Sequence, residues 1–154
     1  MFSTTTVLAR LRADEGYRSR PYLCSAGVWT FGYGTTHYNG YPVTQSTPPI
    51  SIEEARKYLR ADAFDAITVC QSLYPDFTNL YPIHQEVLIC LAYQLGRTGL
   101  TRFVKMNEAL NGIPGGDIEG FARELKDSTL YRTQARGRVI RYLHAILQLE
   151  WLDT

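Results

Sequence analysis

A chain of 154 residues, 45% hydrophobic and 20% charged, has room for one compact unit or for two small lobes sharing a core. Its formal net charge of +1 gives no overall pull toward nucleic acid, and it has no run of about 20 apolar residues that could span a membrane. Its three cysteines, Cys24, Cys70 and Cys90, are widely spaced and odd in number, which argues against a disulfide framework and against a C-x-x-C metal site.

Residues 3–14 read as a short amphipathic helix with Val7, Leu8 and Leu11 on one face, stopped by Gly16. This N-terminus has no basic segment, long apolar core or small-residue cleavage site, so no secretory signal is expected and export would need another protein. Pro21, Gly27, Gly32 and Gly34 punctuate the next stretch, while Val28, Trp29, Thr30, Phe31 and Tyr33 favour strand, which together predict a hairpin. Gly40, Pro42, Pro48 and Pro49 make residues 35–50 a turn-rich loop with room for a third strand.

Ser51-x-x-Glu54 is a capping-box pattern that opens a long helix. Ile52, Ala55, Leu59, Ala63, Ala66, Ile67 and Cys70 recur on one face, and Glu53, Arg56, Lys57, Arg60 and Asp62 on the other, up to a stop before Pro75. Residues 83–95 are apolar on nearly every face after Glu86, the pattern of a helix at the centre of a helical lobe. Gly96 and Gly99 bracket the turn that follows, and further helices are expected at 101–111, 117–126 and 134–148. The expected fold is α+β and predominantly helical, in one domain over residues 1–154. Residues 15–50 would form a small N-terminal β-hairpin lobe, 51–74 a connecting helix, and 75–154 with 1–14 a helical lobe.

Cys70 and Cys90 sit among apolar residues as small buried hydrophobes would. Cys24 lies in a polar Ser/Gly-flanked loop, where that role suits it less well. His37, His84 and His144 are scattered without companion ligands and read as ordinary surface or capping residues, so no metal and no cofactor is expected. Arg132, Arg136, Arg138 and Arg141 fall in a stretch, 128–141, that has no acidic residue. They form either a solvated helix face or a patch for a polyanionic wall.

Glu15-Gly16, then Tyr22, then Thr30-Phe31-Gly32-Tyr33-Gly34-Thr35 resembles the E-G…Y…T-I-G-Y-G-H signature of the phage-type lysozymes, the T-even phage lysozyme family of glycoside hydrolases. The segment Gln85 to Gly96 is similar to the family's Q-x-x-A-L-x-x-x-x-F-N/Q-x-G helix, and Arg138-Val139-Ile140 with Trp151 is similar more loosely to its C-terminal region. The resemblance implies a lysozyme-like fold. It also implies Glu15 as the catalytic acid, Thr30 as the residue that helps hold the attacking water, and Cys24 at the position of the catalytic aspartate. Thr35 stands where the family often has histidine. Thr36, Tyr93, Gln94 and Met106 match positions that contact substrate. Without the resemblance, Glu15 would read as a surface cap, Thr30 as a strand residue and Tyr93 as core.

Glycoside hydrolysis needs a proton for the leaving oxygen and a base or nucleophile on the opposite face of the sugar. The acid must keep its proton near neutral pH, which partial burial favours. A cysteine can replace the second carboxylate only as a thiolate or a hydrogen-bonded thiol, and a free thiol titrates near about 8.5. Such a thiolate could deprotonate a water held by Thr30, giving inversion, or attack the anomeric carbon, giving retention; the resemblance favours the water. The implied activity is a muramidase that cuts the β-1,4 bond between N-acetylmuramic acid and N-acetylglucosamine in bacterial peptidoglycan. The implied role is that of a monomeric endolysin, made in the host cytoplasm and released to the wall through a holin pore, without nucleic-acid binding or stable membrane insertion. Two alternatives stand beside it: a peptidoglycan binder that lost turnover with its aspartate, and an antibacterial toxin or phage tail lysozyme with the same chemistry.

Overall fold

The first helix, α1 (Thr4–Glu15), buries Val7 and Leu11 and ends at Gly16. Gly16 takes a φ of +66° and donates its N–H to the Arg12 carbonyl at 3.0 Å, a left-handed cap that glycine adopts without strain. The computed structural model describes residues 1–152. They fall into two compact units, one of Thr5–Phe64 and one of Met1–Thr4 with the chain from Asp65 onward.

In the first unit, β1 (Arg18–Leu23) and β2 (Trp29–Gly32) pair antiparallel, with Tyr22 opposite Thr30 and Leu23 opposite Trp29. Arg18 pairs with Gly32, so residues 18–22 face only 30–32 and β1 bulges. Pro21, which has no N–H for a ladder, lies inside that bulge. The bulge leaves the Ser19 carbonyl to accept the Ile50 N–H at 2.9 Å, while the Tyr17 hydroxyl donates to the Ile50 carbonyl at 2.6 Å. The turn-rich stretch forms two short strands, β3 (His37–Tyr38) and β4 (Tyr41–Pro42). They are joined by Asn39-Gly40 with φ of 52° and 81°, the left-handed pair that a two-residue hairpin turn demands.

The long helix α2 (Ile52–Leu73) begins as its capping pattern predicts, with the Ser51 hydroxyl accepting the Glu54 N–H at 3.2 Å. Three aromatic rings hold the second hairpin to it. Tyr38 meets Phe31 edge-on at 5.5 Å and Tyr58 at 5.5 Å, and its hydroxyl donates to Glu54 at 2.8 Å.

The second unit is helical. Its centre is α3 (Pro82–Thr101), in which His84 through Ala92 are all buried. Gly96, at φ 69° and ψ 176°, interrupts it in a region of backbone space that only glycine enters cheaply. Gly99 lies inside α3 and not at the expected turn, and because α3 runs on to Thr101 the next helix, α4 (Val104–Asn111), starts later than the expected residue 101. Then come α5 (Ile118–Lys126), capped by the Asp117 carboxylate on the Gly120 N–H at 3.0 Å, and a π-helical turn at Leu130–Gln134. The last helix, α6 (Arg136–Gln148), ends at Leu149 in the left-handed conformation. Glu86, the one acidic residue of α3, ties down both ends of the described chain: its carboxylate accepts the Ser3 N–H at 3.2 Å and the Trp151 indole N–H at 2.8 Å. The result is the predominantly helical α+β fold implied by the sequence. Among the described residues no helix is long and apolar enough to cross a membrane.

His84 differs from its expected surface or capping role. It is 1% exposed, packed edge-on against Tyr81 and Phe121, with Nε2 at 2.9 Å from the Ile146 carbonyl. Because a carbonyl only accepts, Nε2 carries the proton. Burial favours the neutral ring and pushes its pKa below the ordinary 6.5, against the smaller upward pull of the Ile146 bond. The unfolded chain therefore binds more protons than the folded one in the window just below pH 6.5. This contribution to stability is complete above that value and is lost as pH falls toward the folded pKa. Urea unfolding at a series of pH values should show this loss, and His84→Leu, which cannot titrate, should flatten it.

Candidate active site

Glu15 is the last residue of α1 and is half-buried. It faces a loop closed by reciprocal bonds between Phe31 and Thr35, at 3.0 and 2.9 Å, in which Gly32 and Gly34 both take positive φ. A Cβ built on Gly34 would sit 2.9 Å from Glu15 Oε2 and 3.1 Å from its carboxyl carbon. The carboxylate thus rests on bare backbone, and Gly34 is needed for this approach as well as for its φ of +78°. Gly32 serves packing, since a Cβ there would lie 3.3 Å from Ala55 of α2. Tyr33, 5% exposed, stacks obliquely on Tyr17 at 5.7 Å and braces the loop.

Cys24 starts the turn between β1 and β2. Its N–H donates to the Val28 carbonyl at 3.0 Å, and its own carbonyl accepts the Gly27 N–H at 2.9 Å. Burial alone would push its thiol up. Hydrogen bonds to the sulfur from the backbone amides of Val28 and Ala26, from the Thr30 hydroxyl and from Cys24's own amide together outweigh burial, and hold the thiol below its ordinary value of 9.0. Arg18 instead lies over the Tyr22 ring, 4.2 Å from its centre. Thr30 is 3% exposed, and its hydroxyl also donates to the Val28 carbonyl at 2.9 Å. One proton serves one acceptor at a time, so ionisation of Cys24 draws the Thr30 hydroxyl from that carbonyl toward the sulfur.

Thr36 is half-buried beside the Phe31–Thr35 loop. Its hydroxyl is 3.1 Å from His37 Nδ1, and its carbonyl accepts the Val43 N–H at 2.8 Å. Glu15, Cys24, Thr30 and Thr36 all belong to the unit Thr5–Phe64. Tyr93 and Gln94 belong to the other unit, half-buried just before the break at Gly96. Gln94 Oε1 is buried there without a hydrogen-bond partner among the described residues. Met106 is 1% exposed on the inner side of α4 and lines an open cavity of about 540 Å³ with Leu95, Arg102, Phe103 and Leu130. Cys70 and Cys90 are both fully buried, and burial pushes the Cys70 thiol up to about 12, the opposite of Cys24. Among the described residues no group of His, Cys, Asp and Glu converges as a metal site would require. Sequence reasoning missed the amide donors of Ala26 and Val28, because every residue carries such a group and only the turn aims these at the sulfur.

The family described as phage lysozyme matches residues 12–145, a span that contains Glu15, Cys24, Thr30, Thr36, Tyr93, Gln94 and Met106. The chain is also similar to the endolysin of Acyrthosiphon pisum secondary endosymbiont phage 1, at 31% identity over 121 residues, which are 76% of this chain and 73% of that protein.

Two measurements test this geometry. Gly34→Ala forces an unfavourable φ and a contact with the Glu15 carboxylate, and should cost about 1–3 kcal/mol in urea unfolding. Alkylation of Cys24 by iodoacetamide as a function of pH should show a midpoint below that of the same thiol in the urea-unfolded chain, and Thr30→Val, which removes one donor, should move that midpoint up.

Proposed function

This chain belongs to the phage lysozyme family, and on that premise we propose that it is an endolysin muramidase, cutting the β-1,4 bond between N-acetylmuramic acid and N-acetylglucosamine in peptidoglycan to lyse the host cell. The observation that carries the reading is the family match over residues 12–145, which takes in the whole Glu15–Thr36 segment. The endolysin relative supports the lytic role. A single lysozyme-like domain made in the host cytoplasm, acting as a monomer and reaching the wall through a holin pore, completes the proposal.

Glu15 is the general acid. Its proton goes to the glycosidic oxygen as the bond to the anomeric carbon breaks. The Cys24 thiolate takes a proton from a water held by a lone pair of the Thr30 hydroxyl, and that water's oxygen attacks the anomeric carbon from the opposite face. The anomeric configuration inverts, and the reaction leaves Glu15 ionised and Cys24 protonated, to be reset by exchange with solvent. The hydrogen bonds that lower the Cys24 thiol support the base role. The support of the Glu15 carboxylate on the Gly34 backbone is consistent with an acid held in one position. Tyr93 and Gln94 supply an aromatic face and an amide for the N-acetyl sugars, with Thr36 and Met106 as further contacts.

Turbidity loss of peptidoglycan suspensions tests the assignments. Glu15→Gln should abolish lysis with an unchanged circular dichroism spectrum. Cys24→Ala should lose about 100-fold or more, within the usual range for a general base. Cys24→Asp should keep activity and resist thiol reagents. Lysis by Cys24→Ala at the parent rate would remove Cys24 from the mechanism. Mass spectrometry of the released muropeptides should find reducing sugar ends, whereas 1,6-anhydro ends would overturn hydrolysis.

A further inference from the structure

Leu8 and Arg12 lie one turn apart on α1, and Arg56, Leu59 and Arg60 lie within one turn on α2. Separations of three and four residues place each set on a single helix face. In the unit Thr5–Phe64 the two sets border one open pocket of about 400 Å³, lined by these five residues. Leu59 is 1% exposed and Leu8 half-buried, so the pocket has an apolar floor. Arg12 is half-buried and Arg56 and Arg60 are exposed, so three guanidinium-bearing side chains form its rim. Among the described residues, none of the three takes part in an ion pair. Arg56 and Arg60, four residues apart, are a like-charged pair that an isolated helix disfavours.

Three cations around one concavity need a compensating anion more than they need one another. A carboxylate brings one charge and two oxygens. A phosphate brings up to two charges and several oxygens, and the planar guanidinium fork matches it in bidentate geometry. The pocket is far larger than a bare phosphate, and its leucine floor suits the carbon side of an ester.

We propose that this pocket binds the phosphate group of a phosphate ester, either free in solution or carried as the headgroup of an anionic lipid. The oxygens accept from Arg12, Arg56 and Arg60, and the ester carbons lie on Leu8 and Leu59. None of these residues belongs to the hydrolytic assignment, so the site stands whether or not that assignment does.

The test is an amide and arginine-Nε NMR titration of the full chain with inorganic phosphate and with glycerol 3-phosphate at constant ionic strength. Saturable one-site shifts are expected at Leu8, Arg12, Arg56, Leu59 and Arg60, with glycerol 3-phosphate binding more tightly than inorganic phosphate and acetate far more weakly. Arg12→Gln should weaken binding at least tenfold, Arg56→Gln/Arg60→Gln should remove it, and Lys57→Gln should change nothing. If the double variant does not fold, the exposed Arg60→Gln alone should weaken binding several-fold. Co-sedimentation then separates the sources. Binding to phosphatidylglycerol but not phosphatidylcholine vesicles, lost in the same arginine variants, assigns the site to a lipid headgroup; no vesicle binding assigns it to a soluble ester. Unsaturable shifts, equal affinity for acetate, or undiminished binding in Arg12→Gln would overturn the proposal.

Discussion

The carboxylate of Glu15 rests against the backbone of Gly34, and the local structure on either side follows from that contact. For Glu15 to reach it, α1 has to end where it does, and Gly16 ends it through a positive φ and a bond back to Arg12. For Gly34 to receive it, the loop 31–35 must present backbone with no side chain, which the Phe31–Thr35 bond pair fixes. That loop is held in turn by Gly32 against Ala55 and by Phe31 against Tyr38. Each glycine costs conformational entropy on folding. They are retained because a Cβ at Gly34 would occupy space the carboxylate uses, and a side chain would resist the φ at Gly32 and Gly34.

Cys24 is held by a different device. Its environment is a tight turn whose amides converge on the sulfur, and so it depends on backbone geometry more than on neighbouring side-chain identity. On the proposed assignment, this lets a thiol take the place of a catalytic carboxylate. Amides that would solvate a carboxylate solvate a thiolate in the same way. Cys70 shows what happens without them: burial acts unopposed and the thiol is driven up to about 12.

Much of this was legible in the sequence because it is written in period and punctuation. The apolar stripe of α2, its Ser51 cap, the all-round apolar α3 and the Gly16 stop are each carried by residue types at fixed spacing. The proposed acid and its neighbours stand out in the sequence because Glu15, Thr30 and the two glycines fall in one short motif. What could not be read depends on contacts between distant residues. His84 looked like a surface residue because nothing in its neighbourhood announces the Ile146 carbonyl, 62 positions away. The role of Gly34 needed the Glu15 carboxylate placed against it. The π-helical turn at Leu130–Gln134 has no composition of its own, and it displaced the expected start of the last helix.

The turn around Cys24 has a further consequence for the proposed chemistry. The productive microstate has Glu15 protonated and Cys24 ionised. It shares its proton count with the inverse microstate, Glu15 ionised and Cys24 protonated, so pH cannot favour one over the other. Their ratio is set by the difference between the two microscopic pKa values, about tenfold for each unit. A thiol at its ordinary value beside a carboxyl would leave nearly all molecules in the inverse state at the pH where the total proton count is right. Every hydrogen bond that lowers the thiol, and every feature that raises the acid, therefore multiplies the competent fraction, and at the same time brings the two ionisations that bound the pH range closer together. An aspartate at that position would start with a far smaller gap. The amide-lined turn is thus a partial electrostatic substitute for the missing carboxylate, and the Thr30 hydroxyl, whose single proton can pass from Val28 to the sulfur, is the part of it that responds to ionisation.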